Sequence, residues 1–193
     1  VHAADEDGEV SEPQIVSLVV LLIVAGHEVT TTVLGNTLTY LLTDGRDTWH
    51  RLGADEDLAA RAVDPLLRGI AISDRDVMPG FFRRAVEDVE IGGVLIEAGS
   101  VVAADTMTAN LDPDVYPEDW REHPFTPLTT PHLAFGAGPH YCLGSWLGRM
   151  ELELALHRLP QRLPGLRATV ATRDIAWRRG LLTRSPELLP VTW

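Results

Sequence analysis

Cysteine is almost absent from this chain: Cys142 is the only one in 193 residues. One thiol cannot close an internal disulfide or complete a multi-cysteine zinc site. Lysine is missing altogether, so all 16 basic residues are arginine. Against them stand 28 acids, for a net charge of −12. A surplus of that sign repels phosphate backbones and argues against a nucleic-acid binder. Long apolar runs are also lacking. The longest, residues 15–25, holds eleven residues, is interrupted by Ser17, and gives way to His27 and Glu28. A spanning helix needs about 20 apolar residues. The run is therefore expected to be a buried core helix rather than a membrane anchor, and no signal peptide is evident.

The charge is unevenly spread. Residues 142–193 carry eight arginines and four acids, a net of +4, which leaves −16 on residues 1–141. A basic tail on an acidic protein fits a docking face for an acidic partner, with a solvated helix face as the plainer reading.

What is present reads as mostly helix with a small strand region. Residues 1–12 are rich in Asp and Glu and read as a loop, and Pro13 suits a first helical turn. A long helix is expected from there to Leu42, ended by Asp44 and Gly45. Gly26 in its interior costs about 1 kcal/mol relative to Ala and often marks a kink or a close approach. A short helix and loop follow over residues 49–58, then a helix over 57–69 with Pro65 near its middle. Residues 77–102 turn to strands, with a hairpin over 89–96 at Gly92 and Gly93 and a turn at Ala98 and Gly99. Six prolines make 111–139 irregular, and a loop of that length inside a domain is usually functional. A helix is expected over 143–159, with Leu147, Met150, Leu154 and Leu156 at helical spacing. The tail from Leu166 reads as short strands and turns. There is no repeat and no second domain: residues 1–193 read as one partial domain.

Cys142 stands in the run Phe135, Gly136, Ala137, Gly138, Pro139, His140, Tyr141, Cys142, Leu143, Gly144. Its glycines let the backbone approach a bulky partner closely. A helix follows at once, and a helix N-terminus favours a thiolate. A thiolate on a loop with room for a flat ligand is what haem iron uses as an axial ligand. A lone cysteine is otherwise most often a small buried hydrophobe.

Here the chain resembles the cytochrome P450 family, whose signature is Phe-x-x-Gly-x-x-x-Cys-x-Gly. Phe135, Gly138, Cys142 and Gly144 fill every fixed position. The resemblance extends over nearly the whole chain, from about Ile15 to Trp193. It implies a mostly α architecture with a small β part: the C-terminal, haem-binding half of a soluble bacterial P450. Family members are roughly twice this length, and the first residue is Val1 rather than Met, both of which point to a fragment or a processed chain. The implied cofactor is haem b, with Cys142 as the axial thiolate of its iron. Ala25, Gly26, Arg83, Phe135, Gly136, Gly138, His140 and Gly144 are implied as further haem contacts. Arg83 fits the pattern Arg-x-Ala-x-x-Asp, whose arginine pairs a haem propionate, and a guanidinium matches a carboxylate with two parallel hydrogen bonds.

Ala25, Gly26, Glu28 and Thr30 match the family's oxygen-activating motif, in which the helix opens near the glycine. Glu28 and Thr30 are the implied proton-relay pair. The usual relay alcohol is Val29 here, and Thr30 points about 100° further round the helix. A second departure is larger. The family's Glu-x-x-Arg pair, with a later arginine, aligns with Pro65, Arg68 and Arg121. Proline cannot accept a salt bridge, and inside a helix it costs about 3 kcal/mol. Asp64 could replace it toward Arg68 only if the helix began at Pro65.

For a whole protein the resemblance implies a cytoplasmic monooxygenase. It would insert one oxygen atom from O2 into a small organic substrate, with electrons from a ferredoxin-type donor on the basic C-terminal side. A catalytically impaired homologue with a binding role, or none, is the alternative that Val29 and Pro65 favour. A peroxygenase-like use of peroxide is a third. His27, Glu28 and His140 lack the spacing of a non-haem metal site.

Overall fold

The computed structural model describes residues 10–73, 80–178 and 183–193. Helix α1 spans Glu12–Leu42, and Pro13 lies in its first turn as expected. Gln14 Oε1 closes that end by accepting from the Ser11 amide and hydroxyl, both at 2.8 Å. At the other end the Gly45 amide donates to Tyr40 O at 2.8 Å. Helix α2 is Arg46–Ala54 and α3 is Asp57–Gly69.

Helix α3 buries Ala59, Ala62, Val63, Leu66 and Leu67, an i, i+3, i+4, i+7, i+8 stripe. Pro65 sits inside α3, also buried, without ending it. Only the carbonyl of Arg61 loses its helical donor, and Arg61 is exposed to water.

Four short strands follow: β1 (Phe81–Arg84), β2 (Val89–Ile91), β3 (Val94–Ile96) and β4 (Val101–Ala104). β1 pairs antiparallel with β4, setting Arg83 opposite Val102. β2 and β3 form the expected hairpin, and Gly92 and Gly93 take φ of 59° and 79°. Two successive positive φ values define a turn that glycine tolerates best. Val77, expected to begin the strand region, lies outside the described residues, as do residues 1–9 of the acidic start.

One helical turn, α4 (Thr106–Ala109), opens the irregular segment. Helix α5 (Ser145–Arg162) follows the cysteine loop. The tail adds β5 (Arg167–Ala168) and β6 (Val191–Thr192), paired antiparallel. The core lies where α5 packs on α2 and α3, closed by the C-terminal end of α1 and by Trp120 and Phe125.

Three expectations are corrected. The apolar run 15–25 is not core: Leu21 is 61% and Ile23 64% exposed. Only the far end of α1, around Thr37 and Leu41, is covered by described residues. A pattern of apolar residues specifies a face that prefers burial, not what buries it. Nor is α1 interrupted at Gly26. The helix is continuous there, and, its own nearby backbone aside, no described atom lies within 4 Å of where its Cβ would be. A lone glycine lowers helix propensity by about 1 kcal/mol, which does not end a helix of this length. Third, the buried stripe of α5 is Leu152 and Leu156, whereas Leu147, Met150 and Leu154 face outward. The spacing was helical but joined residues of two faces.

Candidate functional site

The cysteine loop forms one compact unit. Gly136 and Gly138 take φ of 71° and 72°, a region costly for any residue with a Cβ. A single 3-10 turn covers Gly138–His140. The Cys142 amide then donates back to Phe135 O at 2.9 Å, closing the loop on itself. Cys142 O accepts from the Ser145 amide at 3.2 Å, which joins the loop to α5. The thiol itself is exposed.

Open surface surrounds it. Beyond its chain neighbours, no described atom lies within 4 Å of a Cβ built on Gly138, and Leu143 next to the cysteine is 86% exposed. An accessible soft sulfur donor beside uncovered apolar surface and open backbone suits a large flat group with a thiolate-bound iron. The residues present therefore fit haem.

The other expected residues are more scattered. The His140 imidazole is exposed and has no hydrogen-bond partner among the described residues. Arg83 is exposed on β1, and its guanidinium donates to Phe82 O at 3.0 Å. The Arg83 guanidinium and the His140 ring N–H are thus both available to a carboxylate. Ala25, Gly26 and Glu28 lie on the exposed half of α1, and Thr30 is half-buried. The Glu28 carboxylate accepts from the Thr183 hydroxyl at 2.7 Å.

The ion network expected behind the haem is built differently. Helix α3 begins at Asp57, eight positions before Pro65, so Asp64 does not turn toward Arg68. Arg68 is buried and instead donates to two main-chain carbonyls, Asn110 O at 2.8 Å and Glu118 O at 3.0 Å. It also stacks over Tyr116 at 4.7 Å. Burial lowers its pKa below the usual arginine value; both terminal nitrogens are partnered and pin the irregular segment, while the buried Nε has no hydrogen-bond partner among the described residues. Arg121 is exposed, pairs among the described residues only with Asp119 at 3.7 Å, and lies over Trp120.

Asp64 faces the cysteine loop. Its Oδ1 accepts from Arg149 Nε at 2.9 Å and from His132 Nε2 at 3.1 Å. The His132 ring is buried, and its Nδ1 accepts from the Ala134 amide at 3.1 Å, leaving the ring proton on Nε2. The His132 hydrogen bond holds the Asp64 carboxyl below its ordinary value against the opposing effect of burial, and Arg149 adds to it. Burial works against the charge on Arg149, but the Tyr141 hydroxyl and the Asp64 carboxylate outweigh it and raise its pKa. Sequence reasoning considered Asp64 only against Arg68. The available signal was His132, three residues before Phe135, and Arg149, two helical turns after Cys142.

The sequence profile of the family described as Cytochrome P450 matches residues 75–175, which is more than half of the chain. The chain belongs to the cytochrome P450 family. It is 41% identical over 196 residues to nocardicin C N-oxygenase of Nocardia uniformis subsp. tsuyamanensis, covering 99% of this chain and 47% of the relative. It is 40% identical to mycinamicin IV hydroxylase/epoxidase of Micromonospora griseorubida, covering 100% and 47%. The crystal structure of the LnmA cytochrome P450 hydroxylase of Streptomyces atroolivaceus superposes with a TM-score of 0.86 at 39% identity, covering 95% of this chain and 46% of that one. The chain thus spans about half the length of the P450 relatives it matches, with the mostly helical, partial P450 fold expected. Among the described residues one helix, α1, is long and apolar enough to cross a membrane by length and composition. The same segment aligns within P450 relatives along nearly the whole chain.

Proposed function

We propose that this chain is the haem-binding half of a bacterial P450 monooxygenase that inserts one atom of O2 into a small organic substrate. The observation that carries the reading is the exposed Cys142 thiol on a loop whose fixed positions are all filled. Bound there, a haem would supply the activation of dioxygen, with the thiolate donating electron density to iron.

The chain's own residues have separable tasks. Cys142 Sγ is the ligand, and the Cys142 amide, committed to Phe135 O, fixes the direction in which the sulfur points. Arg83 offers a guanidinium and His140 a ring N–H to the two propionates. Glu28 holds and passes protons. Val29 supplies no hydroxyl, and the one beside the acid belongs to Thr183. Thr30 adds a second hydroxyl on α1. The reading places the protein in the cytoplasm, with the apolar half of α1 as an inner helix of the complete fold. The excess of arginine after Cys142 would receive an acidic ferredoxin-type donor.

The test is the carbon-monoxide difference spectrum of the reduced, haem-loaded protein. A thiolate-type band is expected. Failure to take up haem would overturn the reading and leave an impaired homologue with a binding role, which Val29 and Pro65 favour. A thiolate-type band with product formed only from added peroxide would replace the monooxygenase assignment with a peroxygenase one.

A further inference from the structure

Pro65 leaves α3 without an acid for Arg68, and Arg68 has turned to main-chain carbonyls. The neighbouring acid has a different set of partners. Asp64 shares no hydrogen bond with Cys142, yet both of its side-chain partners among the described residues lead to the cysteine loop.

On the entry side, Asp64 Oδ1 holds His132 Nε2, and His132 Nδ1 holds the Ala134 amide. The His132 ring also lies 5.8 Å from the ring of Phe135. On the exit side, the same Oδ1 holds Arg149 Nε from helix α5. The Arg149 guanidinium then lies 4.5 Å over the Phe135 ring and donates to the Tyr141 hydroxyl at 3.2 Å. Phe135 accepts the Cys142 amide, and Tyr141 immediately precedes Cys142. One carboxylate oxygen therefore ties together the strand of chain entering the loop, the helix leaving it, and the two aromatic residues that frame its cysteine.

We infer that Asp64 is a positioning residue for the Cys142 thiolate, holding both arms of the ligand loop from helix α3. The geometry favours this over an incidental surface pair. His132 is buried, Arg149 is largely covered, and the two donors approach one oxygen from different elements. Charge-assisted bonds of this kind are shorter and stronger than neutral ones. Without the carboxylate, His132 and Arg149 would each lose an acceptor, and Arg149 would be released from Phe135 and Tyr141. The inference rests on the proposed role of Cys142 as iron ligand, but its first test does not need haem.

The experiment compares the parent chain with Asp64→Ala and Asp64→Glu by hydrogen exchange. The Cys142 and Tyr141 amides close the loop, on Phe135 O and Gly138 O respectively. In Asp64→Ala these amides should exchange up to about fivefold faster, as loss of a half-exposed charged pair implies. Helix α2, which shares no hydrogen bond or ion pair with Asp64, should exchange as in the parent. Asp64→Glu should recover most of the protection. In the haem-loaded protein, Asp64→Ala should convert part of the reduced carbon-monoxide spectrum from thiolate type to thiol type. Equal acceleration in α2 and the loop would mean that Asp64 contributes only general stability, and unchanged loop exchange would refute any tether. Either result overturns the inference. A parent protein that never gives a thiolate-type band would instead overturn the proposed function, and the exchange comparison would still decide whether Asp64 holds the loop.

Discussion

Thr183 and Glu28 lie 155 positions apart, yet the Thr183 hydroxyl donates a 2.7 Å hydrogen bond to Glu28 Oε1. The contact joins the C-terminal tail to α1 at the acid that the family motif assigns to proton delivery. It sets a hydroxyl beside Glu28 in a chain whose next residue, Val29, has none. Thr183→Val should leave thermal stability nearly unchanged, since surface substitutions are usually within about 0.5 kcal/mol. Product formed per electron consumed should fall severalfold in the haem-loaded protein, and peroxide should rise. Coupling identical to the parent would show that Glu28 works without Thr183.

The low pKa of Asp64 has a consequence for stability. Its carboxyl lies below the ordinary 3.8 because the His132 hydrogen bond, and then Arg149, favour the charged form. A depressed folded-state pKa means that the unfolded chain binds the proton more readily. The contribution is therefore fully present above about pH 5 and is lost as pH falls through the native value. The groups facing Asp64 are His132 and Arg149, with Tyr141 behind Arg149. Because the carboxylate is half-exposed, the effect should not exceed about 1 kcal/mol. Urea midpoints between about pH 5 and pH 3 should fall more steeply for the parent than for Asp64→Asn. Parallel curves would show that the pair carries no linkage.

Gly69, the last residue of α3, lies against the Trp120 ring. A Cβ there would stand 2.1 Å from Trp120 Cε2 and 2.3 Å from its Nε1. Trp120 is buried and also meets Tyr40 at 4.9 Å, so the ring cannot simply swing away. Gly69→Ala should cost about 1–3 kcal/mol through overpacking, read as a lower thermal midpoint. Adding Trp120→Leu should cost less than the sum of the two single changes, because the collision is then gone. Strict additivity would mean that the two residues do not meet.

Cys142→Ala should abolish any thiolate-type spectrum while barely changing the stability of the unloaded chain, because the thiol is exposed. Arg83→Ala with His140→Ala should instead weaken haem retention and leave a thiolate-type spectrum in whatever haem remains. A thiolate-type band in Cys142→Ala would refute the ligand assignment. Unchanged haem affinity in the double variant would refute the propionate pairing.

The features legible in the sequence share one property: they are local. The ends of α3 follow from an amphipathic period within thirteen residues, and the hairpin from two adjacent glycines. The cysteine loop is a contiguous run whose spacing carries its own chemistry. What was not legible depends on partners far along the chain. Asp64 meets His132 and Arg149 across 68 and 85 positions, and Arg68 meets carbonyls that no side-chain pattern announces. The exposed start of α1 was misread for the same reason. Eleven mostly apolar residues state a preference for burial, but the surface that satisfies it is not encoded in those residues.

That uncovered helix yields the last prediction. From Val16 to Val24 every described apolar side chain of α1 is exposed, all around the helix rather than along one stripe. A helix apolar on all sides is normally enclosed by protein or lipid, and a contiguous patch of this kind drives association. The 193-residue chain alone should therefore bind a hydrophobic dye strongly and self-associate as its concentration rises in sedimentation experiments. Val20→Glu with Ile23→Glu should reduce both, at little cost to the core around Leu41, Leu52 and Leu156, which these side chains do not touch. The same exposure should make haem retention poor and turnover slow, with reducing equivalents lost to peroxide. A monomer that neither binds dye nor loses haem would contradict this account and show that the apolar half of α1 finds cover within the chain.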